Sequence, residues 1–90
     1  MSDMGDLLNA REKTHGEYGE QSATAQRIKH VMRNTPNWCK MPDYMREAIE
    51  MIATKLARIG HGDYMHLDSH EDIAGYATLS AREIKDEKDA

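Results

Sequence analysis

The segment 42–59 carries the pattern that most restricts the fold of this chain. Its apolar residues recur at three- and four-residue steps: Met45, Ala48, Ile49, Ile52, Leu56 and Ile59. At about 100° per residue these positions fall within one stripe along an α-helix. Pro42 suits a helix start, and Gly60 and Gly62 end the pattern. The sequence therefore predicts an amphipathic helix here, with its apolar face towards a core.

Three further segments have helical periodicity. The pattern predicts helices over about 3–13, 20–34 and 69–83, separated by turns that contain glycine or proline. We expect Ser69 to cap the last of these helices, because Asp72 stands three positions later, in the place of a capping-box acid. No run of residues alternates between apolar and polar as a strand would. The predicted fold class is all-α.

The 90 residues predict a single domain with a thin core. It consists of N-terminal helices over 1–41, a helical hairpin over 42–84 and a frayed tail over 85–90. The chain has no Phe, one Trp and only 39% hydrophobic residues, so one copy buries little apolar surface. Small residues in the last helix allow close helix packing: Ala74, Gly75, Ala77 and Ala81. We predict a small bundle of three to four helices whose core is completed in a homodimer or homotetramer.

Charge and composition exclude several functional classes. The net charge is -4 and the pI is near 5.7, whereas proteins that bind duplex nucleic acid usually carry a basic face. No apolar run approaches the roughly 20 residues that a membrane span needs. The single cysteine, Cys39, excludes a disulfide framework and is expected to be a small, partly buried apolar residue. We predict a soluble, cytoplasmic protein without duplex nucleic acid or membrane partners.

Two pairs of acids lie at helical spacing. Glu47 and Glu50 are three residues apart on the predicted third helix, and Asp68 and Asp72 are four apart at the start of the fourth. A helical hairpin can bring such pairs together, and Mg²⁺ commonly binds a few carboxylates together with substrate phosphates. A chain with 16 acids also produces these spacings by chance, and Glu47 projects away from the apolar stripe. The spacing therefore leaves metal binding and a solvated acidic face as alternatives.

Two cations stand near the end of the predicted third helix. Lys55 and Arg58 are three residues apart, and they can contact phosphate as a point charge and as a bidentate fork. They can equally stabilise the carboxyl end of the helix or pair with Asp68 or Asp72. Asp72 shares a helix side with Tyr76, so we expect its carboxylate to be partly enclosed. An enclosed carboxylate needs a partner, which is either a bound metal ion or, in a structural role, a cation or a helix end.

The loop histidines do not form a recognisable metal motif. The spacing of His61, His66 and His70 is not that of zinc ligands. We therefore interpret them as loop histidines that bind no metal. No glycine-rich phosphate loop or nucleophile elbow is present either.

Several motifs together resemble a known family. In chain order they are Glu47-Ala-Ile-Glu50, Lys55-Leu-Ala-Arg58-Ile59 and Asp72-Ile-Ala-Gly-Tyr76-Ala77. The segment 45–79 resembles a family of small phage and prophage proteins. That family is similar in turn to the all-α, MazG-like nucleotide pyrophosphohydrolases. Thr14-His15-Gly16 is a fainter upstream match.

The resemblance implies a function and a set of site residues. In that superfamily, a Glu-x-x-Glu helix and a Glu-x-x-Asp helix hold Mg²⁺ for hydrolysis between the α- and β-phosphates of a nucleotide. The implied metal ligands are Glu47, Glu50, Asp68 and Asp72, and the implied nucleotide-binding residues are Lys55, Arg58 and Tyr76. Ser69 occupies the place of the expected second-helix Glu, with Asp68 as the substitute one residue earlier.

Three functional hypotheses follow. The first is a Mg²⁺-dependent pyrophosphohydrolase acting on a nucleoside triphosphate or related nucleotide, with metal-bound water as the nucleophile. The second is a non-catalytic protein that binds or sequesters a nucleotide through Lys55, Arg58 and Tyr76. The third is a helical module that binds another protein.

Overall fold

Four α-helices form the chain in a computed structural model that describes residues 3–90. They are α1 (Met4–His15), α2 (Tyr18–Arg33), α3 (Asp43–His61) and α4 (Leu67–Asp89). A short 3-10 helix, Trp38–Lys40, lies between α2 and α3. Residues 3–90 form no strand, so the prediction of an all-α fold is confirmed.

Helix α3 is the centre of the bundle. Both α2 and α4 pack along α3, whereas α1 makes lighter contacts with α2 and α3. The buried positions of α3 are all alanines, namely Ala48, Ala53 and Ala57. Because alanine has no side-chain atom beyond Cβ, the neighbouring helices can approach α3 closely there. Ala25 of α2 and Trp38 of the 3-10 helix are the other buried apolar residues among those described.

The apolar stripe predicted for α3 is only partly enclosed by one chain. Ala48 is buried and most other members of the stripe are half-buried, but Leu56 is 45% exposed. Helix α1 covers little of the bundle, because it has no buried residue and its Leu7 and Leu8 are exposed. A single copy therefore encloses a thin core.

Helix α4 begins earlier than the sequence indicated. It starts at Leu67 with His66 as the N-cap residue, so the predicted cap at Ser69 is wrong. The side chain of Asp63 accepts a hydrogen bond from the amide of Met65 at 2.9 Å, and this turn leads the chain into the helix before Ser69. Ser69 lies in the first turn of α4, where it is buried.

Helix α4 also continues to Asp89, through the segment 85–90 for which the sequence predicted a frayed tail. Tyr44 in the first turn of α3 lines a shallow cavity together with Glu83 and Asp86, and Ile84 is half-buried. Contacts with α3 therefore reach the last turns of α4. Such tertiary contacts extend a helix beyond what its own propensity supports.

The turn between α1 and α2 packs directly on the turn between α3 and α4. The amide of Asp63 donates a hydrogen bond to the carbonyl of Thr14 at 2.8 Å. A Cβ on Gly16 would lie 2.4 Å from the carbonyl oxygen of His61, and one on Gly62 would lie 2.2 Å from that of Thr14. Only glycine permits this approach of two backbones. We refer to this contact as the corner junction.

Candidate functional site

Among the site residues predicted from sequence, Lys55 and Asp72 lie in direct contact. Lys55 Nζ is 2.9 Å from Asp72 Oδ2, which joins α3 to α4. The Lys55 side chain is 12% exposed and that of Asp72 is 45% exposed. The ammonium group is thus largely removed from water and depends on this partner. The structure contains the ion pair that was one of the two interpretations of Asp72.

Glu50 pairs with a residue that the sequence did not single out. Arg33, the last residue of α2, donates from Nε to Glu50 Oε1 at 2.7 Å, and its Nη2 also contacts that oxygen. This ion pair attaches the end of α2 to α3. Glu47 is exposed and lines, with Arg46, an open cavity of about 300 Å³.

The remaining predicted residues are spread along the groove between α3 and α4. Asp68 is exposed in the first turn of α4, beside the end of α3. Tyr76 is half-buried and lies between two shallow cavities, one lined by Glu47 and the other by Asp72. Within residues 3–90 of one chain, no three His, Cys, Asp or Glu side chains are grouped so that they could hold a metal ion.

Arg58 lines a cavity of about 520 Å³, formed by α1, α2 and α3. Arg11 and His15 of α1 contribute to its wall, as do Tyr18 and Gln21 of α2. The corner junction forms one end of the wall, since Gly16 is also a lining residue. We call this space the corner cavity.

Three polar atoms around the corner cavity are buried and have no hydrogen-bond partner among residues 3–90. They are His15 Nδ1, Gln21 Oε1 and Arg58 Nε. Gln21 as a whole is only 6% exposed. A buried polar atom without a partner costs about 1 to 3 kcal/mol, so folded proteins rarely collect several in one place. Such a cluster indicates a position where a polar ligand, an ion or water completes the hydrogen bonding.

The corner cavity is lined by two arginines, Arg11 and Arg58, and by one acid, Glu12, in a chain of net charge -4. Burial lowers the pKa of His15 below its usual value, and the nearby charge of Arg58 lowers that pKa further. His66, Lys55 and Arg11 contribute in the same direction. The His66 ring meets the His15 ring edge-on, with 5.6 Å between the ring centres. A neutral His15 surrounded by cations is an environment that favours an anion.

The other loop histidines have separate contacts. His61 Nε2 is 2.6 Å from the hydroxyl of Thr24, and His70 Nε2 is 2.9 Å from the carbonyl oxygen of Tyr64. These two histidines therefore hold neighbouring segments together, which the sequence interpretation of these histidines did not anticipate.

Comparison with known proteins adds no assignment, because no family model, curated protein or solved structure matches the chain. None of the helices within residues 3–90 is both long enough and apolar enough to cross a membrane.

Proposed function

We propose that this protein binds a nucleotide through its phosphates. The observation that carries the proposal is the position of Arg58, whose guanidinium group lines the corner cavity and has a buried Nε without a partner. A guanidinium group offers several donors in a planar fork and is well suited to phosphate oxygens. Lys55 is already paired with Asp72, so Arg58 is the better placed of the two predicted phosphate ligands.

The remaining wall of the cavity supports a ligand larger than phosphate alone. Tyr18 is 75% exposed and Leu8 is also exposed, and both lie at this cavity with the cations. An exposed aromatic ring beside a cationic site is a surface on which a base can stack. About 520 Å³ is also within the range of small-molecule pockets.

A nucleotide screen tests this proposal. We expect nucleoside triphosphates to raise the melting temperature and to bind in calorimetric titrations. Arg58→Gln should weaken binding about 10- to 100-fold, because a hydrogen bond to a charged group is lost. Lys40→Gln, which removes a positive charge from an exposed position on the 3-10 helix, should bind normally. If no nucleotide binds the wild-type chain at millimolar concentration, the proposal fails and a module that binds another protein becomes the favoured function.

Mg²⁺-dependent hydrolysis is a second candidate. It is favoured by the position of Tyr76, which lines both the cavity that contains Glu47 and the cavity that contains Asp72. Mg²⁺ needs only one or two protein carboxylates when substrate phosphates and water supply its other ligands. The candidate ligands are one or two at a time of Glu47, Glu50, Asp68 and Asp72, because the structure spreads these four acids along the groove between α3 and α4. Bound there, the ion would act as a Lewis acid and lower the pKa of its bound water. Glu50 and Asp72 would first have to leave Arg33 and Lys55.

An assay of pyrophosphate release from nucleoside triphosphates distinguishes catalysis from binding. We expect an enzyme to form a nucleoside monophosphate only with Mg²⁺, and to lose that activity in Glu47→Gln but not in Glu20→Gln on α2. Nucleotide binding without turnover and without a Mg²⁺ requirement would instead support a protein that binds or sequesters the nucleotide.

We further propose that the protein is a homodimer or homotetramer. The small residues of α4 lie in a largely solvent-exposed helix, in which Leu79 is 55% exposed, and Leu56 of α3 is exposed as well. A second copy covering this surface would complete the thin core. Light scattering at micromolar concentration should give the mass of two or four chains. Leu79→Lys should reduce this mass and Gln26→Lys should not, whereas a stably folded wild-type monomer would contradict the proposal.

We propose that the protein functions in the cytoplasm. Cys39 was expected to be partly buried, but it is an exposed free thiol. Cys39 is the middle residue of the 3-10 helix, where Trp38 faces the bundle and is buried while the side chain of Cys39 is exposed. An exposed free thiol is readily kept reduced in a cytosolic environment and is prone to oxidation elsewhere.

A further inference from the structure

We infer that the corner cavity contains a subsite for a phosphate or diphosphate group, formed by Arg11, His15, Gln21 and Arg58. The ligand that binds there has a hydrogen-bond donor adjacent to this group. The inference rests on the proposed nucleotide-binding function and assigns the N-terminal residues that complete its site. Apart from Arg58, none of these residues belongs to the hairpin 42–84, which held all the site residues predicted from sequence.

The corner junction fixes the geometry of this subsite. His15 stands between Thr14 and Gly16, and both of these neighbours touch the backbone of residues 61–63. Arg58 lies in the last turn of the helix that ends at His61. The two side chains are therefore attached to backbone segments in direct contact, which limits how far they can separate. A site held in this way loses little conformational entropy on binding.

The unpartnered atoms define the kind of ligand. Arg58 Nε is a donor, and the imidazole of His15 presents a donor when Nδ1 carries the proton, so an oxyanion can satisfy both. Arg11, which lines the same cavity, adds positive charge. Gln21 Oε1 is only an acceptor, and an oxyanion would repel it. In the orientation that the structure gives to this amide, an N–H or O–H group of the ligand, such as the sugar or base of a nucleotide carries, would satisfy Oε1.

Proton uptake at His15 accompanies the binding of an anion. The charged and titratable groups around His15 are Arg11 and Glu12 of α1, Lys55 and Arg58 of α3, and His66 before α4. Burial and, after it, the nearby cations keep the pKa of His15 low in the free protein, and a dianion in the cavity would offset the effect of the cations. The affinity for a dianion should therefore rise as the pH falls from 8 to 5.

Titration of the full chain with pyrophosphate and with sulfate tests the subsite. We expect pyrophosphate affinity to fall about 10- to 100-fold in Arg58→Gln and His15→Gln, and less in Arg11→Gln, because the exposed Arg11 is more strongly solvated. Lys40→Gln is the control for loss of a positive charge, because Lys40 is exposed and lies on the 3-10 helix. Sulfate stays dianionic between pH 5 and 8, so any pH dependence of its affinity reports proton uptake by the protein. His15→Gln should remove more of that pH dependence than His66→Gln.

The role of Gln21 has a separate test. Gln21→Leu replaces the unpartnered acceptor by an apolar side chain of similar size. It should weaken a nucleoside triphosphate about 10-fold and leave sulfate binding unchanged or tighter, because sulfate carries no proton between pH 5 and 8 and only the nucleotide brings a donor. The variant should also keep or gain stability, since a buried atom without a partner is removed. It therefore remains informative even if Arg58→Gln fails to fold.

The outcomes separate this inference from the proposed function. Nucleotide binding that depends on Arg58 but is unaffected by His15→Gln and Gln21→Leu would overturn the subsite and leave the proposed function standing. Pyrophosphate binding that depends on His15, with no binding of any nucleotide, would support the subsite and reject the proposed function. Equal weakening in Lys40→Gln would overturn the subsite, because it would reduce the effect to overall charge.

Discussion

Gly16→Ala is expected to lower the free energy of unfolding by about 3 kcal/mol or more. Gly16 has φ 86° and ψ 178°, a conformation that is essentially restricted to glycine. Its added Cβ would also lie 2.4 Å from the carbonyl oxygen of His61 and 2.6 Å from the carbonyl carbon. Because these are backbone atoms, they cannot move aside as a side chain would. The two turns must separate to admit the methyl group.

Chemical denaturation of three alanine variants measures this effect. Gly62→Ala, on the other side of the corner junction, should also be strongly destabilising, because its Cβ would lie 2.2 Å from the carbonyl oxygen of Thr14. Gly60→Ala is the control: it lies in the same helix, and its Cβ would meet nothing within 4 Å. That variant should be neutral or slightly stabilised, since alanine is the better helix former. Equal stability of all three variants would show that the junction does not contribute to the folded state.

The helices were largely predictable because their determinants are local. The period of the apolar residues in α3 identified that helix from the sequence alone, and Pro42 and the glycines after Ile59 placed its ends within two residues. The start of α4 was not predictable in this way. It depends on the turn formed by Asp63 and Met65, which begins the helix before the better capping residue, Ser69, is reached.

The candidate site was less predictable because its contacts join distant segments. The sequence indicated Lys55 and Asp72 as possible partners, since both lie in one hairpin. It gave no sign that Arg33 would bind Glu50, because that contact depends on how α2 crosses α3. The triplet Thr14-His15-Gly16 was visible as a faint motif. Its role in joining two turns and in lining a cavity depends on tertiary packing that no local pattern encodes.

Asp72→Asn is the second substitution with a large expected effect, because Lys55 would lose the partner of its nearly buried charge. We expect the free energy of unfolding without Mg²⁺ to fall by about 1 to 2 kcal/mol. The loss should be smaller than for a fully buried pair, since Asp72 is 45% exposed and water can reach the amide that replaces it. Asp68→Asn, at an exposed position one turn earlier, is the matched control and should change stability little.

A double-mutant cycle assigns the loss to the ion pair. Lys55→Met removes the charge and keeps an apolar chain of similar length, so Asp72→Asn should cost much less in that background than in the wild type. If Asp72 instead belongs to a group of carboxylates that binds Mg²⁺, the opposite result is expected. Neutralising one of these carboxylates relieves their mutual repulsion, so stability without metal stays unchanged or rises, and the response to Mg²⁺ weakens. The sign of the metal-free change therefore distinguishes the two roles. A rise in stability with a lost Mg²⁺ response would make Asp72 a metal ligand first and the partner of Lys55 only in the absence of metal.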